Sequence, residues 1–246
     1  MQTNESSNRK TARIAGILFI IATVASILST PFLAPINSLN YLKDLSSNPN
    51  QTLIGAFLVI IAAIASGSIA ISLYPTLKKY NQSLALGAVG FRLIEAALYI
   101  IGVITIILLL TLSQDFVLSG APSSSYFQSL GTVLLSGYHW ASFVGGPLVF
   151  CIGALLYYII FYQTKLVPRW LSIWGLVGVT LCILSSILVM FNVIGAFSPT
   201  QVVLNLPFIG VQEMVLAVWL IVKGFRSQAI TLSANQRSDR NPDGQD

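Results

Sequence analysis

Apolar residues come in long unbroken runs along the chain, separated by short stretches rich in Asn, Ser, Pro, Lys and Arg. A helix needs about 20 apolar residues to cross the hydrocarbon core, whereas a barrel strand alternates apolar and polar positions. The runs here are continuous, so they predict helices. Six are counted: about Ile14 to Leu33, Thr52 to Tyr74, Leu84 to Leu112, Gly137 to Tyr162, Trp170 to Phe191 and Leu204 to Val222. The first, about 20 residues long, exceeds the usual apolar core of a secretory signal, about 7–15 residues, and reads as an uncleaved span. Residues 34–51, with Pro35, Asn37, Asn48, Pro49 and Asn50, read as a polar, turn-rich loop. Residues 113–136 carry Gly120-Ala121-Pro122 and a serine run, then Tyr126-Phe127 and Leu130, a pattern suited to a short interfacial amphipathic helix. Pro75, Pro168 and Pro207 are expected at helix ends, whereas Pro147, after Gly145-Gly146, falls inside the fourth run and predicts a kink.

Composition supports this reading. Of 246 residues, 55% are hydrophobic and 9% charged, with a mean hydropathy of +0.80. A soluble domain carries about 25% charged residues to wet its surface. A soluble fold, a disordered chain and a disulfide-rich scaffold are therefore excluded. Cys151 and Cys182 lie inside apolar runs, where they read as small core residues.

The charges also orient the chain. Arg9, Lys10, Arg13, Lys78, Lys79, Lys165, Arg169, Lys223, Arg226, Arg237 and Arg240 all flank the runs on one side, and only Lys43 lies on the other. Positive residues stay cytoplasmic, so both termini are expected there, with an even number of spans. The same residues account for the net charge of +5 through anchoring at anionic headgroups, and nucleic acid is not expected as a partner. The expectation is an all-α, six-helix transmembrane bundle, multi-pass in the cell membrane, with the lipid bilayer as its partner. Its parts are a cytoplasmic segment 1–12, a membrane domain 13–226 and a disordered cytoplasmic tail 227–246.

Four side chains at depth need a reason, because a central charge costs about 2.5–3.5 kcal/mol on insertion scales. They are Arg92, Glu95, His139 and Glu213. At 1.5 Å per residue, Glu95 lies about 16 Å along the third helix, and Glu213 falls at a similar depth in the sixth. Arg92, Glu95, Tyr99 and Gly102 share one helix face by their spacing of three, four and three. His139, Phe143, Gly146, Phe150, Gly153 and Tyr157 form a stripe on the fourth helix, and Gly210, Glu213 and Ala217 on the sixth. Small residues on such stripes let helices approach closely in lipid. The three faces are expected to meet at one intramembrane pocket that binds or transports a small or lipid-like ligand, with proton-coupled transport among the options. Two alternatives stand beside this reading: a purely structural set, and an intramembrane enzyme using Glu95 and Glu213 as acid and base. One histidine is too few for the usual zinc hydrolase, no G-x-S-x-G elbow or phosphate loop occurs, and neither metal nor cofactor is expected. The third and sixth helices each carry a central Glu, a faint echo of the inverted repeats of transporters.

The segments Arg13-Ile14-Ala15-Gly16, Phe91-Arg92-Leu93-Ile94-Glu95-Ala96 and Leu166-Val167-Pro168-Arg169-Trp170-Leu171 carry a resemblance. So does Glu213 followed by Ala217-Val218-Trp219-Leu220 and Lys223-Gly224. Over roughly residues 10–225 the chain resembles the bacterial and archaeal membrane family called domain of unknown function 4386. The resemblance implies a six-span membrane protein and brings no catalytic residues with it.

Overall fold

The computed structural model describes residues 2–122, 126–195 and 198–226. The tail beyond residue 226, expected to be disordered, lies outside them. The elements are α1 (Gln2–Leu33), a 3-10 turn (Ala34–Asn37), α2 (Tyr41–Ser47), α3 (Pro49–Leu77), α4 (Gln82–Leu118) and α5 (Tyr126–Phe143). After α5 come α6 (Phe150–Thr164), α7 (Arg169–Met190), α8 (Pro199–Asn205) and α9 (Val211–Val222). Wide π turns, Val144–Val149 and Leu206–Gly210, join α5 to α6 and α8 to α9. Among the described residues, six stretches are long and apolar enough to cross a bilayer: Asn8–Asn37, Pro49–Leu77, Gln82–Leu118, Tyr126–Thr164, Arg169–Met190 and Pro199–Val222. Large apolar side chains such as Ile27, Phe57 and Ile64 are 60% or more exposed, as lipid contact requires and water does not tolerate in such numbers.

Three boundaries differ from expectation. Residues 126–136 form no separate interfacial helix but the first turns of the fourth span, which runs to Thr164. The sixth span begins at Pro199, so Pro207 lies within it rather than at its start. Both Pro207 and Pro147 sit in π turns for the same reason. Proline has no N–H to offer the carbonyl four residues back, and the backbone widens by one residue to pass it. Pro75 is likewise inside α3, two residues before its end, while Pro168 is the N-cap of α7 as expected.

The chain divides into two compact units, Met1–Ile20 with Ser68–Arg92 and Phe150–Asp246, and Ile21–Gly67 with Leu93–Val149. These do not coincide with the first and second triplets of spans.

In the first unit α6 and α7 form an antiparallel hairpin across a short turn. Lys165 takes the left-handed conformation there, and Leu166 and Val167 are fully buried. Glycines set the packing distance. The ring of Tyr158 rests directly on Gly175, the Phe208 carbonyl on Gly178, and a Cβ at Gly16 would lie 2.6 Å from the Ala217 carbonyl oxygen. The basic segments also gather. Lys79 donates to the Asn8 side chain at 3.4 Å, the Arg226 N–H donates to the Leu166 carbonyl at 2.9 Å, and the Arg9 stem lies against Gly224.

In the second unit the supposed polar loop is a small packed cap. Ile36, Leu42 and Leu45 are buried with Ile106, Leu109 and Phe116 of α4 and Phe127 of α5. The Ser113 hydroxyl donates to the Leu42 carbonyl, and the Phe116 and Phe127 rings meet edge to face at 5.7 Å. Cys151 and Cys182 are buried, in agreement with their place in apolar runs.

Gly178→Ala would place a methyl group on a backbone carbonyl that cannot rotate away, so it is expected to cost about 1–3 kcal/mol. Gly90→Ala meets nothing within 4 Å and should leave stability unchanged or slightly raised. Thermal unfolding of the two variants in detergent tests the contrast.

Candidate functional site

The expected site residues fall into both units: Arg92 and Glu213 in the first, Glu95, Tyr99 and His139 in the second. Within each unit they stand beside further polar side chains.

The first cluster is held by α4, α6, α7 and α9. Arg92 is 1% exposed, with its guanidinium carbon 4.6 Å from the centre of the Phe150 ring. Its aliphatic stem passes Gly153, where a Cβ would stand 3.2 Å from the Arg92 Cγ. One turn further along α6, the Tyr157 hydroxyl donates to Glu213 Oε1 in a long hydrogen bond of 3.4 Å. Tyr157 is fully buried.

Beside it runs an uncharged bridge. The Tyr158 hydroxyl donates to Gln212 Oε1, and Gln212 Nε2 donates to the Leu171 carbonyl at 3.1 Å. Gln212, Tyr158 and Leu171 are at most 1% exposed. One side-chain amide thus ties α6, α7 and α9 together. The π turn ends at Gly210, just before Gln212 and Glu213, which places both on the buried face of α9 with Leu216, Ala217 and Leu220.

The second cluster belongs to α3, α4 and α5. The Ser66 hydroxyl donates to Glu95 Oε1 at 2.7 Å, and Glu95 is 3% exposed. Gly145 and Gly146, in the π turn, allow α4 to approach closely. A Cβ at Gly146 would lie 2.6 Å from the Tyr99 hydroxyl oxygen, and one at Gly145 would lie 2.7 Å from Leu98 Cβ. The small-residue stripe of the fourth span is therefore a seat for Tyr99 here and for Arg92 in the first unit. His139 is half-buried, its ring tilted against Tyr138 at 5.3 Å. Among the described residues, no three His, Cys, Asp or Glu side chains group as metal ligands.

Sequence reasoning singled out the charges and the stripe that carries Phe150, Gly153 and Tyr157, and overlooked Gln212, Tyr158 and Ser66. Gln212 adjoins Glu213 and is a second polar group at depth, so its amide was a usable signal. Ser66 and Tyr158 offered none, since hydroxyls are common in spans and their partners depend on helix rotation.

The model of the family described as domain of unknown function (DUF4386) matches residues 14–224. The chain belongs to this family. No curated protein and no solved structure matches the chain. The four segments that carry the resemblance find contacts in the first unit. Gly16 meets the Ala217 backbone, and Arg92 meets Phe150 and Gly153. Leu171 accepts from Gln212, and Leu166 accepts from Arg226, two residues beyond Gly224.

Replacing Gln212 by Leu would leave the Tyr158 hydroxyl and the Leu171 carbonyl without their bridge in a dry interior, an expected loss of about 1–3 kcal/mol. Tyr158→Phe should cost less. The double variant should lose less than the sum, with a coupling of about 0.5–1.5 kcal/mol for a bond within the membrane. A thermal or denaturant unfolding cycle over the four proteins measures it.

Proposed function

We propose that this DUF4386 member is a multi-pass protein of the cell membrane, with both termini cytoplasmic, that binds a small or lipid-like ligand with exchange of a proton at Glu213. The observation that carries this reading is the buried Arg92–Tyr157–Glu213 arrangement. Buried ionisable side chains are weak evidence for stability, because apolar residues of similar volume often serve the fold as well. Ionisable groups retained at bilayer depth mark ligand and proton paths more often than packing devices. Tyr157, whose hydroxyl donates to Glu213, supports this reading as the group that would respond when Glu213 changes protonation. Glu95, with the Ser66 hydroxyl as donor, is a second candidate proton site. Tyr99 and His139 are further candidates in the same unit. The orientation is supported by the basic residues, which flank the spans on one side.

Glu213→Gln and Glu95→Gln, each in purified protein returned to lipid, test the reading. Infrared titration of the buried carboxyl band should show a component that responds to pH and is absent in Glu213→Gln, with the thermal midpoint little changed. Mass spectrometry of co-purifying small molecules should show a species held by the parent protein and lost from that variant. A purely structural carboxylate gives the opposite pattern: a lowered midpoint, no titrating component and the same bound molecules.

A further inference from the structure

The two faces of α9 differ in a way the buried cluster does not explain. One face holds Gln212, Glu213, Leu216, Ala217 and Leu220 in the interior. The other carries a shallow groove of about 450 Å³ lined by Val211, Met214, Val215, Val218, Trp219 and Val222, and it ends at Lys223. Val218 and Val222 are 55% and 58% exposed, so nothing within the described residues covers this face. From Val211 to Val222 the groove runs about 16 Å at 1.5 Å per residue. Half of the hydrocarbon core is about 15 Å thick, so the groove matches the acyl region of a single leaflet.

Its lower end is cationic. Lys223 closes the helix, and Gly224 turns the chain out of it at a φ of +71°, with its N–H donating to the Trp219 carbonyl at 3.2 Å. That turn brings Arg9, whose stem lies against Gly224, to the same end, and Arg226 follows two residues later. All three cations are exposed. Trp219 stands one turn above Lys223, at the level where aromatic rings prefer the bilayer interface.

We infer that this face of α9 is a binding site for one anionic glycerophospholipid, with an acyl chain along the valine groove and its phosphate at Lys223, Arg226 and Arg9. The site is separate from the buried cluster, which lies on the opposite face of the helix. The lipid is recognised by charge at one end and by length along the groove, so zwitterionic lipids with the same chains fit the groove but lose the headgroup attraction.

Native mass spectrometry of the purified full chain, titrated with dioleoyl phosphatidylglycerol or dioleoyl phosphatidylcholine, tests this. The parent protein should bind phosphatidylglycerol at least about tenfold more tightly, since each surface cation adds about fivefold for an anionic lipid. Lys223→Gln with Arg226→Gln should remove most of that preference and leave phosphatidylcholine binding as it was. Val218→Trp, at an exposed position where folding is not at risk, should fill the groove and weaken both lipids. Equal affinity for the two lipids in the parent protein overturns the inference, as does undiminished binding in Val218→Trp. A parent dimer that Val218→Trp converts to monomer also overturns it, because the groove then belongs to a second copy of the chain.

Discussion

Inside a bilayer every polar group that leaves water must find its partner within the protein, and here the Gln212 amide carries that constraint for three helices. Its oxygen accepts from Tyr158 on α6 and its nitrogen donates to the Leu171 carbonyl at the start of α7. Either bond alone would leave half of a buried amide unsatisfied. Both together define how α6, α7 and α9 are rotated about their axes. Apolar packing between helices in lipid has no such directional preference, since a leucine is as comfortable against a lipid tail as against another helix. Given that rotation, the glycines follow: Gly175 must lie under the Tyr158 ring, and Gly178 against the Phe208 carbonyl.

The prolines meet the same constraint by a different route. Pro147 and Pro207 each remove an N–H from a membrane helix, and the chain passes both in π turns rather than breaking. Each turn stands beside a carboxylate cluster. The first turn contains the Gly145-Gly146 pair that seats α4 near Glu95 and Tyr99, and the second ends just before Gln212 and Glu213. A π turn shifts the angular position of everything that follows by one residue. The inward placement of Glu213 and the outward placement of the valines on α9 are therefore two results of one backbone irregularity.

Much of this architecture was legible before the structure. Six apolar runs and the burial of Cys151 and Cys182 follow from composition and position alone, because residue type sorts the chain by hydropathy whatever the helices do to one another. Arg92, Glu95 and Glu213, singled out inside those runs, are all buried. The cap over residues 34–47 was not. Ile36, Leu42 and Leu45 are scattered among Pro, Asn, Ser, Lys and Asp, and they become a core through Ile106, Leu109 and Phe116, far away in sequence. Likewise the start of the fourth span at Tyr126 was hidden by polar residues such as Gln128, Ser129 and Ser136, which a helix end outside the hydrocarbon tolerates.

By itself, then, the sequence determined six apolar runs of membrane-spanning length, the place of most of them, though not the starts of the fourth and sixth, and which charges lie inside the runs. Each of those is a transfer of residues between water and lipid, and transfer depends on residue type and order. Tertiary structure alone decided which partners the deep groups have: Tyr157 for Glu213, Ser66 for Glu95, Phe150 and Gly153 for Arg92, and the bridge through Gln212. Those depend on helix rotation and on the two π turns, and hydropathy is blind to both.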